Sequence, residues 1–200
     1  AACASGRDAS APVVASASVR SDDAQTHLRP MDEAALADFV DLKVVAWEPT
    51  KQRIAYFSHT RSAAYELVSF LQIEPPVPVW GLPLGPEKLA SATLAAHGQR
   101  MTHALAGYVR VEGAAFDGTS ATLPDGDTRA TVLGDVLTVR AAGRTFTTRV
   151  HIAGYTGKPV VAAALPGTSS VVVIMRYEDH MDVLDQTIPY ILDTSTGTWK

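Results

Sequence analysis

Two hundred residues, 46% of them hydrophobic and 19% charged, are enough for one well-buried core and too few for two once a tail is subtracted. A formal charge of −4, with no stretch that gathers the Lys and Arg needed to track a phosphate backbone, argues against nucleic acid as a partner. No apolar run reaches the roughly 20 residues of a membrane-spanning helix, because Val171–Met175 stops at Arg176.

Residues 1–28 are rich in Ala and Ser and show neither helical nor strand periodicity, which predicts a disordered tail ahead of one globular domain over 29–200. After Pro30, acids in a first turn and Leu36, Phe39 and Val40 at helical spacing predict a short helix over 31–40. Two strands, 42–47 and 53–58, flank the turn residues Glu48-Pro49-Thr50-Lys51 as a hairpin, and residues 65–71 have the side-chain types of a third strand. Between Glu74 and Pro86 five prolines exclude helix and any central strand, predicting an extended connection. Trp80 lies inside it, as a plug over a core edge or as a platform for a ligand. Pro86 then opens an alanine-rich helix that ends near Gly98, and residues 99–106 fit a further helical piece or a strand.

From Gly107 onward strand patterns recur at 108–111, 128–133, 136–140, 145–152, 160–165, 171–175 and 188–192, separated by Gly, Pro and Asp turns. The fold class is therefore mainly β with one or two helices, built as an antiparallel sandwich or a partly closed barrel. The closing segment, Pro189 to Trp199, resembles the outer hairpin of β-propeller blades, where an Asp-x-x-Thr-Gly turn follows a short strand. That resemblance implies a propeller-like arrangement as the alternative, although the helix after Pro86 interrupts a blade period of about 40 residues.

Ala1-Ala2-Cys3-Ala4, followed by a Ser- and Ala-rich stretch, resembles the cleavage and lipidation site of bacterial lipoproteins. The resemblance implies export, a lipid on Cys3, and a place in the cell envelope, periplasmic or anchored to the outer membrane. Membrane contact would then run only through that lipid. As the single cysteine, Cys3 leaves no intramolecular disulfide and no Cys-based metal cage.

Chemistry is weakly marked. His97 and His103 fall on different faces of one helix, and His59, His151 and His180 are scattered, so no metal site is assigned. Glu178-Asp179-His180-Met181-Asp182, with Asp185 beyond, could present oxygen ligands to Ca²⁺ but lacks the glycine punctuation of an ion loop and reads as a solvated tip between strands. Asp125-Gly126-Asp127 is a sufficient turn signature. No Gly-x-Ser-x-Gly elbow and no phosphate loop occurs, and no motif calls for a cofactor. The leading expectation is a tethered, non-enzymatic binding or interaction domain with ligand contacts at Trp80, Asp179, His180 and Asp182, facing an envelope protein or a small ligand. One alternative is a small hydrolase or metal-dependent enzyme using His151, His180, Asp179 and Asp182; another is a structural subunit that pairs through a sheet edge.

Overall fold

The computed structural model describes residues 28–60, 65–73, 77–86, 90–179 and 185–200. After β1 (Arg29–Pro30), Asp32 starts the first helical turn by accepting the Ala35 N–H on its Oδ1 at 3.0 Å. A 3₁₀ turn, Glu33–Ala35, leads into α1 (Leu36–Val40), whose Leu36, Phe39 and Val40 are buried. An antiparallel meander follows: β2 (Val44–Glu48), β3 (Arg53–Thr60), β4 (Tyr65–Gln72) and β5 (Val77–Pro86). Helix α2 (Ala90–Ala104) then returns the chain to β6 (Val109–Glu112), which inserts between β1 and β2 and completes sheet A in the order β1-β6-β2-β3-β4-β5.

Sheets B and C are interleaved in the chain. Strand β7 (Ala114–Ala115) belongs to sheet B, and is followed by the four strands of sheet C, β8 (Ser120–Thr122), β9 (Arg129–Leu133), β10 (Val136–Ala141) and β11 (Arg144–Arg149). The chain then finishes sheet B with β12 (Tyr155–Ala164), β13 (Ser170–Asp179), β14 (Asp185–Asp193) and β15 (Thr198–Trp199), in the order β15-β14-β13-β12-β7. Every described strand pair is antiparallel.

Side-chain alternation stacks these sheets. On β2, Val44 and Ala46 face the helices with Leu36, Phe39, Met101 and Leu105, while Val45 and Trp47 face the opposite way and meet Val161, Val172, Ile174 and Ile191 of sheet B. On β13, Val172 and Ile174 meet sheet A, whereas Val171, Val173, Met175 and Tyr177 meet Ala130, Val132, Leu137, Val139 and Phe146 of sheet C. The order is helices, sheet A, sheet B, sheet C. Burying each large apolar side chain in such a seam contributes about 1.5–3 kcal/mol. The molecule is thus mainly β with two short helices and several antiparallel sheets, a layered sandwich with no closed barrel among the described residues. A propeller would set its blades round an axis in chain order; here the sheet that ends the chain lies between the other two.

Three local expectations change. The proline-rich stretch is strand β5 from Val77 onward, because it occupies the sheet edge, where only one ladder must be satisfied, and two register shifts against β4 absorb its irregularity. Pro86 ends that strand opposite Tyr65 instead of opening a helix. Helix α2 runs through Gly98 to Ala104: Met101 and Leu105, both fully buried, outweigh the cost of about 1 kcal/mol that glycine imposes inside a helix. No described helix is long and apolar enough to cross a membrane.

Candidate functional site

Most of the residues singled out from sequence fall where no side chain is described. Cys3 and the tail up to residue 27 lie outside the described residues, as do His180 and Asp182. Trp80 sits on the edge strand β5, its backbone opposite Phe70, and Asp179 is the last residue of β13, opposite Tyr155; neither side chain is among those described. The connection expected over 178–185 is shorter than it looked, since β13 extends to Asp179 and β14 begins at Asp185. Glu178 and Asp185 therefore face each other across the ladder, and Lys158 Nζ donates to Glu178 Oε2 at 2.6 Å.

His151 is exposed and lines an open cleft of about 270 Å³ where the β9–β10 turn, residues 150–152 and the start of β12 meet. Beside it the Tyr177 hydroxyl donates to the Val150 carbonyl at 2.6 Å and lies 2.7 Å from the Tyr190 hydroxyl. Burial and then the Tyr190 hydroxyl hold the Tyr177 phenol well above its ordinary range, so it stays protonated and structural. Among the described residues His151 makes no side-chain hydrogen bond and no oriented pair with a carboxylate. No three described His, Cys, Asp or Glu side chains gather into a metal-holding group.

A second cleft, about 320 Å³, runs along Asp125, Thr128, Ser169 and Thr194. Its polar groups are engaged in shaping turns. Asp125 accepts from the Thr128 N–H at 2.8 Å, the Thr128 hydroxyl at 2.7 Å and the Asp127 N–H at 3.1 Å; burial opposes ionisation, but these donors keep the carboxyl below its ordinary range. Next to it Asp193 receives the Ser195 hydroxyl at 2.6 Å, the Ser169 hydroxyl at 2.7 Å and the Ser195 N–H at 2.9 Å. The Ser195 hydroxyl first, then Ser169, holds its carboxyl far below the usual carboxylate range. This is the Asp-x-x-Thr-Gly turn, and it closes the β14–β15 hairpin.

Among the described residues, a further concentration of polar and charged side chains is the outer face of sheet C. With Ala130, Val132, Leu137, Val139 and Phe146 turned to sheet B, the alternate positions turn away from the core. A two-residue turn, Gly134-Asp135, with Gly134 at φ +59°, sets Leu133 opposite Val136 and hence Thr131 opposite Thr138 and Arg129 opposite Arg140. The Ala142-Gly143 turn, with both residues at positive φ, sets Thr138 opposite Thr147, Arg140 opposite Thr145 and Val136 opposite Arg149. Ser120 stands opposite Thr131, so Ser120, Thr131, Thr138 and Thr147 form one row of hydroxyls across four strands. Arg129, Arg140 and Arg149 are exposed around that row. Arg129 Nη2 donates to Ser120 Oγ at 3.2 Å, and none of the three forms an ion pair among the described residues. No strand position of sheet C is Asp or Glu.

Comparison with family models, with curated proteins and with solved structures finds no match to the chain. The sheet C face was missed because its arginines are dispersed in sequence. A signal was present: the residues on either side of Gly134-Asp135 form a near-mirror, Arg-Ala-Thr-Val-Leu against Val-Leu-Thr-Val-Arg, and a two-residue turn fixes that register.

Proposed function

We propose that the chain is a non-catalytic binding domain of the bacterial cell envelope, tethered through Cys3, whose contact surface is the outer face of sheet C. The observation that supports it is the continuous row of hydroxyls from Ser120 to Thr147, flanked by exposed arginines, on a sheet whose other face is committed to the core. Such a face offers repeated donors at the roughly 4.8 Å spacing of neighbouring strands, with Leu133 (66% exposed) the large apolar side chain left in water among the described residues. The second cleft supports this reading less, because Asp125, Thr128 and Ser169 are already committed to the hydrogen bonds of their turns.

The test separates domain from anchor. Full-length chain carrying Cys3→Ala, and therefore unable to take a lipid, is mixed with washed envelope fragments and sedimented. Binding by this protein, lost when Thr131 and Thr138 are both replaced by Tyr to bulk the centre of the face, is the expected result. Sedimentation that is absent, or indifferent to the double replacement, overturns the proposal.

A further inference from the structure

We infer that the ligand of the sheet C face is an acidic polysaccharide; this rests on the face being the contact surface. The overall charge is −4, yet this surface carries three arginines and no strand acid, so its local sign opposes that of the molecule. Arg129 and Arg140 stand directly opposite each other on neighbouring strands, a placement that like charges disfavour unless an anion lies across them. The contrast with sheet B is direct. There the facing acids Glu178 and Asp185 have Lys158 bound to Glu178 at 2.6 Å, whereas the facing arginines have no carboxylate among the described residues.

Spacing selects a polymer over a small ion. Arg149 lies four residues along β11 from the position that faces Arg140, about 13 Å away at the rise of an extended strand. No single phosphate or carboxylate reaches both ends, while a chain bearing an acid on successive units does. Between the cations lie Thr131, Thr138 and Thr147, neutral donors and acceptors suited to sugar hydroxyls. No aromatic side chain occupies the face, so single-stranded nucleic acid would find no platform for its bases.

The experiment titrates full-length Cys3→Ala protein with polygalacturonate, dextran sulfate, unmodified dextran of matched length, and a single-stranded oligothymidine of matched charge. Expected are binding to the two acidic glycans that weakens at least about tenfold between 50 and 300 mM salt, no binding to dextran, and weaker binding to the oligonucleotide. R129Q/R140Q/R149Q, all at exposed positions, should lose about tenfold or more while its thermal midpoint is kept, and R129K/R140K/R149K should retain most of the affinity. Equal binding by the glutamine variant, equal binding to dextran, or oligonucleotide binding as tight as the glycans would overturn the inference. In the envelope assay the two ideas part: a glutamine variant that still sediments while the Thr131/Thr138 tyrosine variant does not defeats the acidic ligand and leaves the face standing. If both variants sediment normally, both ideas fall.

Discussion

Strand β13 of sheet B and strand β10 of sheet C have the same local situation, an antiparallel partner on each side, and opposite side-chain patterns. Val171 to Met175 is five apolar residues in succession, all buried, because sheet A covers one face of β13 and sheet C the other. Val136 to Ala141 alternates, with Leu137, Val139 and Ala141 buried and Thr138 and Arg140 turned outward. The number of layers pressing on a strand, more than its propensity, sets how freely its sequence can vary. A strand with one open face has half its positions available for recognition, and in sheet C those positions hold Arg and Thr.

The widest gap between the two strands should appear on truncation. Ile174→Ala in β13 is expected to cost about 2–5 kcal/mol, since a fully buried branched side chain leaves a cavity between two sheets that cannot both relax. Thr138→Ala in β10 should stay within about 0.5 kcal/mol. Urea unfolding of both variants checks the pair; similar losses would mean that Thr138 is packed as tightly as Ile174 and that the outer face of sheet C is not open.

Glycine sharpens the same contrast. Gly157 on β12 stands opposite Tyr177, and a Cβ there would lie 2.7 Å from Tyr177 Cε1. The ring cannot swing away without breaking its hydroxyl contacts to Val150 and Tyr190, so Gly157→Ala should cost about 1–3 kcal/mol. Tyr177→Phe/Gly157→Ala, with the hydroxyl tether gone, should cost less than the sum of its single variants, a coupling that a double-mutant cycle reads directly.

The strands and the sandwich class were legible in sequence, the order of the layers was not, and the reasons are physical. The Val171–Met175 run and the segments 128–133, 136–140 and 145–152 read as strands divided by Gly and Asp turns, whereas which of them is covered on both faces is set by the sheets stacked against it. Strand β5 was hidden because proline is forbidden only where its missing N–H is needed, and the need depends on whether a second neighbour is present. The continuation of α2 past Gly98 depended on Leu36, Phe39 and sheet A, partners that local propensity does not know. For the candidate site, the acidic residues around 178–185 drew the eye because they cluster in sequence, whereas Arg129 and Arg140 are eleven positions apart and meet only through the register of a turn.

A pH dependence tests the turn that pins sheet B's outer hairpin. Asp193 has its carboxyl depressed below the ordinary aspartate value of 3.8 by Ser195 and Ser169, so its contribution is fully present above that value and is lost as pH falls toward the folded value. Asp193→Asn should therefore lower the thermal midpoint at pH 7, and the gap to the parent should narrow steadily below about pH 4. A gap that is constant from pH 7 to pH 2.5 would assign the loss to geometry instead of charge.

The smallest expected effect has an unusual sign. Replacing Arg140 with Thr extends the hydroxyl rows of sheet C, places a good strand former at a central position and removes a like-charge pairing with Arg129. The variant should be more stable than the parent by a few tenths of a kcal/mol at low ionic strength, with the gain fading as salt screens the pair that the parent retains. Urea midpoints at 20 mM and 500 mM salt provide the measurement. A gain confined to low salt, together with weaker retention on an acidic glycan, would show that this position gives up stability for recognition. If Arg140→Thr were instead destabilising at both salts, Arg140 would be supporting its own sheet, and the facing arginines would need no anion to account for them.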